Sequence, residues 1–176
     1  MNTLVKKNGI NFGIITGVIS VLTTTLIYVI DLKLFTSWWL GILSLLIYLV
    51  LGIILMTKTK KELEGQFVFK DAFTTYFICA VVGILISVIF NIILFNFIDP
   101  AAKEIIKDLT MKTMVDMMNK FGAPAASINE ALKSLKENDQ FSIGNLLKGA
   151  LTSILVSSVF GLILAAIFKT KTISNQ

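Results

Sequence analysis

Four stretches of this 176-residue chain carry no charged side chain: 10–30, 34–57, 72–98 and 149–168. Each has at least 20 residues, and about 20 helical residues rising ~1.5 Å apiece cross a hydrocarbon layer of roughly 30 Å. The fold class this predicts is all-α: a polytopic membrane protein of four transmembrane helices, in one domain over residues 1–176. Composition agrees. Apolar residues make up 55% of the chain, charged residues 15%, and the mean hydropathy is +0.82. A soluble domain averages about 25% charged residues to cover its surface, and a core helix of a soluble bundle keeps a polar stripe that these runs lack.

What is missing narrows the chemistry. There is no His, the commonest general base and transition-metal ligand. The single Cys, Cys79, lies inside the third apolar run and has no intrachain partner. All sixteen basic residues are Lys, so the planar, bidentate clamp that Arg offers to phosphate or carboxylate is absent. These absences predict a non-enzymatic protein without a cofactor or metal, and with no nucleic-acid partner. The expected partners are the lipid bilayer, other membrane proteins or a second copy of the chain.

Lys6 and Lys7 before an apolar run resemble the start of a signal peptide. The run 10–30 exceeds the usual 7–15-residue core, however, and no Ala precedes Ala72 to form a small-residue cleavage site. A retained signal anchor is therefore expected. With the N-terminus inside, Lys6, Lys7, Lys58, Lys60, Lys61, Lys70, Lys169 and Lys171 are cytoplasmic, and Lys33, Lys103, Lys107, Lys112, Lys120, Lys133, Lys136 and Lys148 lie outside. The count ties at eight each, but the first set is packed into about 30 residues and the second into about 53. Lysine density thus favours both termini in the cytoplasm of a bacterial inner membrane.

The connections differ in kind. Asp31-Leu32-Lys33 reads as a tight turn making the first two spans an antiparallel hairpin. Trp38 and Trp39 follow it as interfacial anchors, since amphipathic indoles settle at a headgroup boundary; a stacking pair for a ligand is the other reading. In the basic loop after the second span, Phe67 and Phe69 are expected to dip into the interface while the lysines meet headgroups.

Inside lipid, small residues let helix backbones approach. Gly9, Gly13 and Gly17 repeat at four-residue steps, as do Gly83, Ser87 and Asn91, and as do Gly149, Ser153, Ser157, Gly161 and Ala165. They predict three helix-packing ridges in one bundle, or else faces for self-association. Asn91, and with it Asn96, is expected to hydrogen-bond across helices. No ionisable residue sits deep within a span and no span contains Pro, so the usual marks of a transporter are missing.

Residues 99–148 form the one sizeable aqueous segment, and its pattern predicts an extracytoplasmic amphipathic helical hairpin between the third and fourth spans. Asp99-Pro100 pairs a capping carboxylate with a proline suited to the first helical position. Met114, Met117, Met118 and Phe121 follow at i, i+3, i+4 and i+7, and 121–124 (Phe-Gly-Ala-Pro) ends that helix. Ser127-x-x-Glu130 reads as a capping box opening a second helix with the stripe Ile128, Ala131, Leu132 and Leu135. The two arms are expected to pack on each other and on the membrane surface. The Met-rich stripe is the candidate partner surface, because methionine adapts to varied shapes.

The strings 35–41 (Phe-Thr-Ser-Trp-Trp-Leu-Gly), 69–73 (Phe-Lys-Asp-Ala-Phe), 91–100, 117–124 and 146–149, in this order, resemble the domain-of-unknown-function family 4199. That is a group of small integral membrane proteins found mostly in Bacteroidetes-type bacteria. The resemblance covers nearly the whole chain. It implies four spans with an extended loop before the last, and it brings no activity, ligand or site residue. Two functions remain in view: a subunit, scaffold or regulator working through helix and partner contacts, or a small channel or transporter made by oligomerisation, with Thr23-Thr24-Thr25 or the Ser ridge lining a polar path.

Overall fold

In the computed structural model, which describes residues 2–170, 88% of the described residues are helical and none lies in a strand. Lys171, one of the lysines counted for orientation, lies outside the described residues. Among the described residues six α-helices follow one another: α1 Thr3–Ile30, α2 Trp38–Glu62, α3 Phe69–Ile93, α4 Pro100–Lys120, α5 Ala125–Glu137 and α6 Ile143–Phe168. Four of them, α1, α2, α6 and α3 with its extension to Ile98, are long and apolar enough to cross a membrane.

The helices outrun the uncharged stretches because caps, not hydrophobicity, stop a helix. Asn2 Oδ1 accepts the Leu4 N–H at 2.9 Å and starts α1 seven residues before Ile10. The Ser142 hydroxyl accepts the Asn145 N–H at 3.3 Å and starts α6 at Ile143 rather than Gly149. At the far end of α2, Gly65 N–H reaches back to the Lys60 carbonyl and Glu64 N–H to Lys61, with φ of 51° at Glu64 and 81° at Gly65. This left-handed closure carries α2 to Glu62, past the expected Thr57.

The link between α1 and α2 is longer than a tight turn. Asp31 Oδ1 accepts the Lys33 N–H at 2.8 Å and opens a 3-10 helix, Leu32–Thr36, so α2 begins at Trp38 and residues 34–37 are not part of it. The apolar Leu32 and Phe35 of this segment face a protein cluster instead of lipid.

Helix α3 is central, with α1 along one side and α6 along another. Helices α1 and α3 run parallel: Gly9, Gly13 and Gly17 meet Ile78, Val82 and Ile86 in turn. Helix α6 runs antiparallel to α3, with Gly161 on Tyr76 and Thr170 bonded to Phe67. Both described ends of the chain therefore lie at one end of the bundle (the termini end), and α4 and α5 at the other (the loop end). Helix α2 joins the rest at the termini end alone, where Gly52, Leu55, Met56 and Thr59 are buried; nearer its start no residue is. The expected α1–α2 hairpin is thus antiparallel but splayed.

Two clusters hold the two ends. Met56, Phe67, Ala72, Leu164 and Ala165 form the termini-end core. Phe67 is fully buried there rather than at the lipid interface, because the Glu64–Gly65 turn folds the chain back beneath the bundle. The Phe67 carbonyl accepts the Thr170 N–H at 2.8 Å, and its own N–H donates to Thr170 Oγ1 at 3.0 Å. Phe69 stays exposed with Lys169 Nζ 6.0 Å above its ring. Leu94, Phe95, Ala102 and Ile106 form the loop-end core.

Candidate functional site

The features that bring sequence-distant residues together lie at the loop end. After Ile93 the third span makes one widened turn, Leu94–Ile98, in which the Asp99 N–H reaches the Leu94 carbonyl at 2.8 Å. Such π turns re-aim side chains without ending a helix, and here Leu94 and Phe95 are turned inward. Asp99 then serves two helices. Its Oδ1 accepts the Ala102 N–H at 3.1 Å, capping α4 with Pro100 at the first position, and its Oδ2 accepts the Tyr28 hydroxyl of α1 at 2.8 Å.

Around this joint the rings of Phe35 and Phe141 meet Phe95 at 5.7 Å and 4.3 Å between centroids. Asn96 Nδ2 donates to the Phe141 carbonyl at 3.0 Å, so Asn96 does reach across elements. Asp139 ties the α5–α6 connection to α4. It accepts Lys103 Nζ at 2.9 Å and the Phe141 N–H at 2.9 Å, while Lys107 Nζ donates to the Lys136 carbonyl at 2.8 Å. Partial burial pulls the Asp139 pKa up, but the Lys103 bond, the Phe141 N–H and the charges of Lys103 and Lys107 together hold it below the ordinary carboxylate value.

Between these parts lies an open groove of about 590 Å³. One wall is Phe35, Thr36 and Trp38; the opposite wall is α4, from Ile106 through Thr110 and Met114; Gln140 and Phe141 close one side. No charged side chain lines it.

The sequence-predicted residues fall as follows. Trp38 is 78% exposed at the groove edge and Trp39 is about half exposed. On α4, Met114 and Met118 are half-buried, whereas Met117 is exposed and Phe121 is 83% exposed. Helix α4 ends with Gly122 at φ 69° and the Ala123 N–H on the Met118 carbonyl at 2.9 Å. That closure leaves only Ala123 and Pro124 before α5, so Ser127 sits inside the first turn and caps nothing; the capping box does not form. On α5 the stripe Ile128, Ala131, Leu132 and Leu135 is half-buried and no residue is fully buried.

Among the ridge residues, Gly9, Gly13 and Gly17 abut α3: a Cβ on Gly13 would stand 2.6 Å from Val82 Cβ and 2.9 Å from the Cys79 carbonyl oxygen. Gly83 faces Thr16 across the same seam, and Ser87 Oγ accepts the Ser20 hydroxyl at 2.8 Å. Asn91 does not bond across helices; its Nδ2 donates to the Ser87 carbonyl of its own helix at 2.8 Å, which is within easier reach one turn back. On α6 the five-residue ridge divides. Gly161 and Ala165 are buried, Ser157 is half-buried, and Gly149 and Ser153 are exposed with no packing role in the bundle. The face that meets α3 runs instead through Ala150, Ile154, Ser157, Gly161, Leu164 and Ala165. Thr23 and Thr25 donate to the Ile19 and Val21 carbonyls of their own helix.

Two sites carried no signal that sequence patterns could isolate. Tyr28 and Asp99 are 71 residues apart. Asn8, buried beside Gly9, donates to Thr59 Oγ1 at 3.2 Å and Glu62 Oε2 at 2.7 Å, locking α1 to α2 at the termini end. A polar residue one step from a glycine ridge was the available clue.

Residues 11–170 match the family model described as "Protein of unknown function (DUF4199)", and the chain belongs to that family. No curated protein and no solved structure matches it.

Proposed function

We propose that this protein is a non-enzymatic subunit, scaffold or regulator of a bacterial inner membrane, with its termini end in the cytoplasm and its loop end outside. Lysine density supports that orientation: the described termini-end segments hold Lys6, Lys7, Lys58, Lys60, Lys61, Lys70 and Lys169 in far fewer residues than the loop end spreads its eight lysines over. The observation that carries the functional reading is α4. Its first half is bonded to the spans through Asp99, Tyr28 and the Phe95 cluster, and its last turn presents Met117 and Phe121 with little protein around them. A rigidly held helix displaying flexible thioether and aromatic side chains to water suits a partner surface.

A photo-crosslinking residue at Phe121 tests this in membranes of cells making the full chain. The expected result is one discrete protein adduct at position 121, lost when Met117 is changed to Ser, and lipid adducts alone at position 39. Lipid or no adduct at 121 contradicts the reading.

A further inference from the structure

The face of α2 that packs into the bundle at the termini end loosens toward the loop end: Tyr48 and Ser44 are half-buried, and Leu45, Gly41 and Trp38 are exposed. Trp38 stands 18 residues before Met56, about five full turns, so the two lie on one line of the helix. Yet Met56 is fully buried and Trp38 is 78% exposed; Ile42 and Leu45, within ~40° of that line, are each 51% exposed. The splay of α2 therefore opens a wedge on its bundle-facing side, with exposed apolar walls, and the loop-end groove lies at the head of that wedge, since Trp38 belongs to both.

We propose that one phospholipid of the surrounding leaflet occupies this wedge and groove, its acyl chain lying along Ile42 and Trp38 and its glycerol end against Thr113 and Gln140. The wedge is continuous with the hydrocarbon around α2, so a lipid chain enters it without crossing water. No charged side chain lines the groove, which disfavours an ion-paired peptide and suits a methylene chain. Of the groove's polar groups, Thr36 already donates to the Lys33 carbonyl at 2.8 Å and Thr110 to the Ile106 carbonyl at 2.7 Å. The donors for an ester carbonyl are therefore the Thr113 hydroxyl, whose bond to Thr36 is a long 3.4 Å, and the Gln140 amide. Left empty, the rings of Phe35, Trp38 and Phe141 would face water; a chain that covers them gains what burial of apolar surface supplies. The lipid site does not depend on the partner reading above.

The test uses the full chain reconstituted in palmitoyl-oleoyl-phosphatidylglycerol nanodiscs, moved into detergent and weighed by native mass spectrometry. One phospholipid should stay with the wild type. Filling the site with Met114→Trp from the groove, or with Ile42→Trp from the wedge, should lower the retained fraction by about tenfold or more, the change expected when a lipid loses the walls it covers. Leu43→Trp, on the outward side of α2, should change it by less than about twofold. Circular dichroism at wild-type helix content qualifies each variant, and either filling variant suffices. Overturning results are no lipid on the wild type, equal loss from all three variants (loosely held annular lipid), undiminished binding in the filled variants, or a polypeptide mass bound in place of lipid.

Discussion

Two runs of small residues at four-residue steps meet different fates against the same helix. Along α1, Gly9, Gly13 and Gly17 all touch α3; along α6, only Gly161 and Ala165 of the five-residue ridge are buried. Helical geometry explains the difference. A four-residue step overshoots a full turn by ~40°, so the two steps of α1 spread over ~80°, while the four steps of α6 spread over ~160°. A strict four-residue ridge is one face only when short. The longer α6 contact keeps facing α3 by alternating steps of three and four, through Ala150, Ile154, Ser157, Gly161 and Leu164.

Substitutions can break this comparison, and the largest effect belongs to the α1 seam. Gly13→Leu drives a side chain into Val82 and the Cys79 carbonyl, and backbone cannot yield as a ring can. A loss of about 3 kcal/mol or more is expected, read as lower thermal stability in detergent. Gly161→Leu meets the Tyr76 ring at 2.8 Å, which can rotate, so about 1–3 kcal/mol is expected from the same measurement. Gly149→Leu and Ser153→Leu, on the part of the ridge that has turned away, should shift stability by less than about 0.5 kcal/mol. A cost at Gly149 equal to that at Gly13 would undo the geometric explanation.

The ends of the bundle allow a finer test. Asp139 has a lowered pKa in the folded protein, so its contribution is present above the ordinary carboxylate value of ~3.9 and fades as pH falls through the lowered folded value. Protection against hydrogen exchange at Phe141 and along α5, taken relative to the intrinsic exchange rate at each pH, should therefore fall below about pH 4, by an amount worth less than about 1 kcal/mol for so exposed a pair. Asp139→Asn should exchange faster at neutral pH and lose that acid-dependent component. A gain instead of a loss is expected at Glu64, whose φ of 51° suits glycine better; Glu64→Gly should stabilise the termini end by about 0.5–1 kcal/mol.

The four span-length helices are legible in the sequence because uncharged runs of that length have few other uses. Their ends are less so: Asn2, Ser142 and the Glu64–Gly65 closure set them through local hydrogen bonds that hydropathy does not register. Phe67 illustrates a deeper limit. An aromatic in a lysine-rich loop suggests the interface, but a left-handed turn two residues earlier decides which way it points. Ser127 shows local rules in competition, for the glycine closure of α4 uses up the residues a capping box would need. The loop-end site was legible only in parts. Asp99-Pro100 announces its cap, whereas Tyr28, Phe35, Phe95 and Phe141 converge through tertiary packing alone.

The arrangement rests on α1 and α3 lying parallel, in contact and in one register. In a Cys79→Ala background, cysteines at Ser20 and Ser87, whose oxygens are 2.8 Å apart, should form an intramolecular disulfide rapidly and nearly completely in native membranes, while a Ser20→Cys, Ser153→Cys pair should not. Failure of the first pair to close within one chain, or closure of the second, would contradict the fold described above.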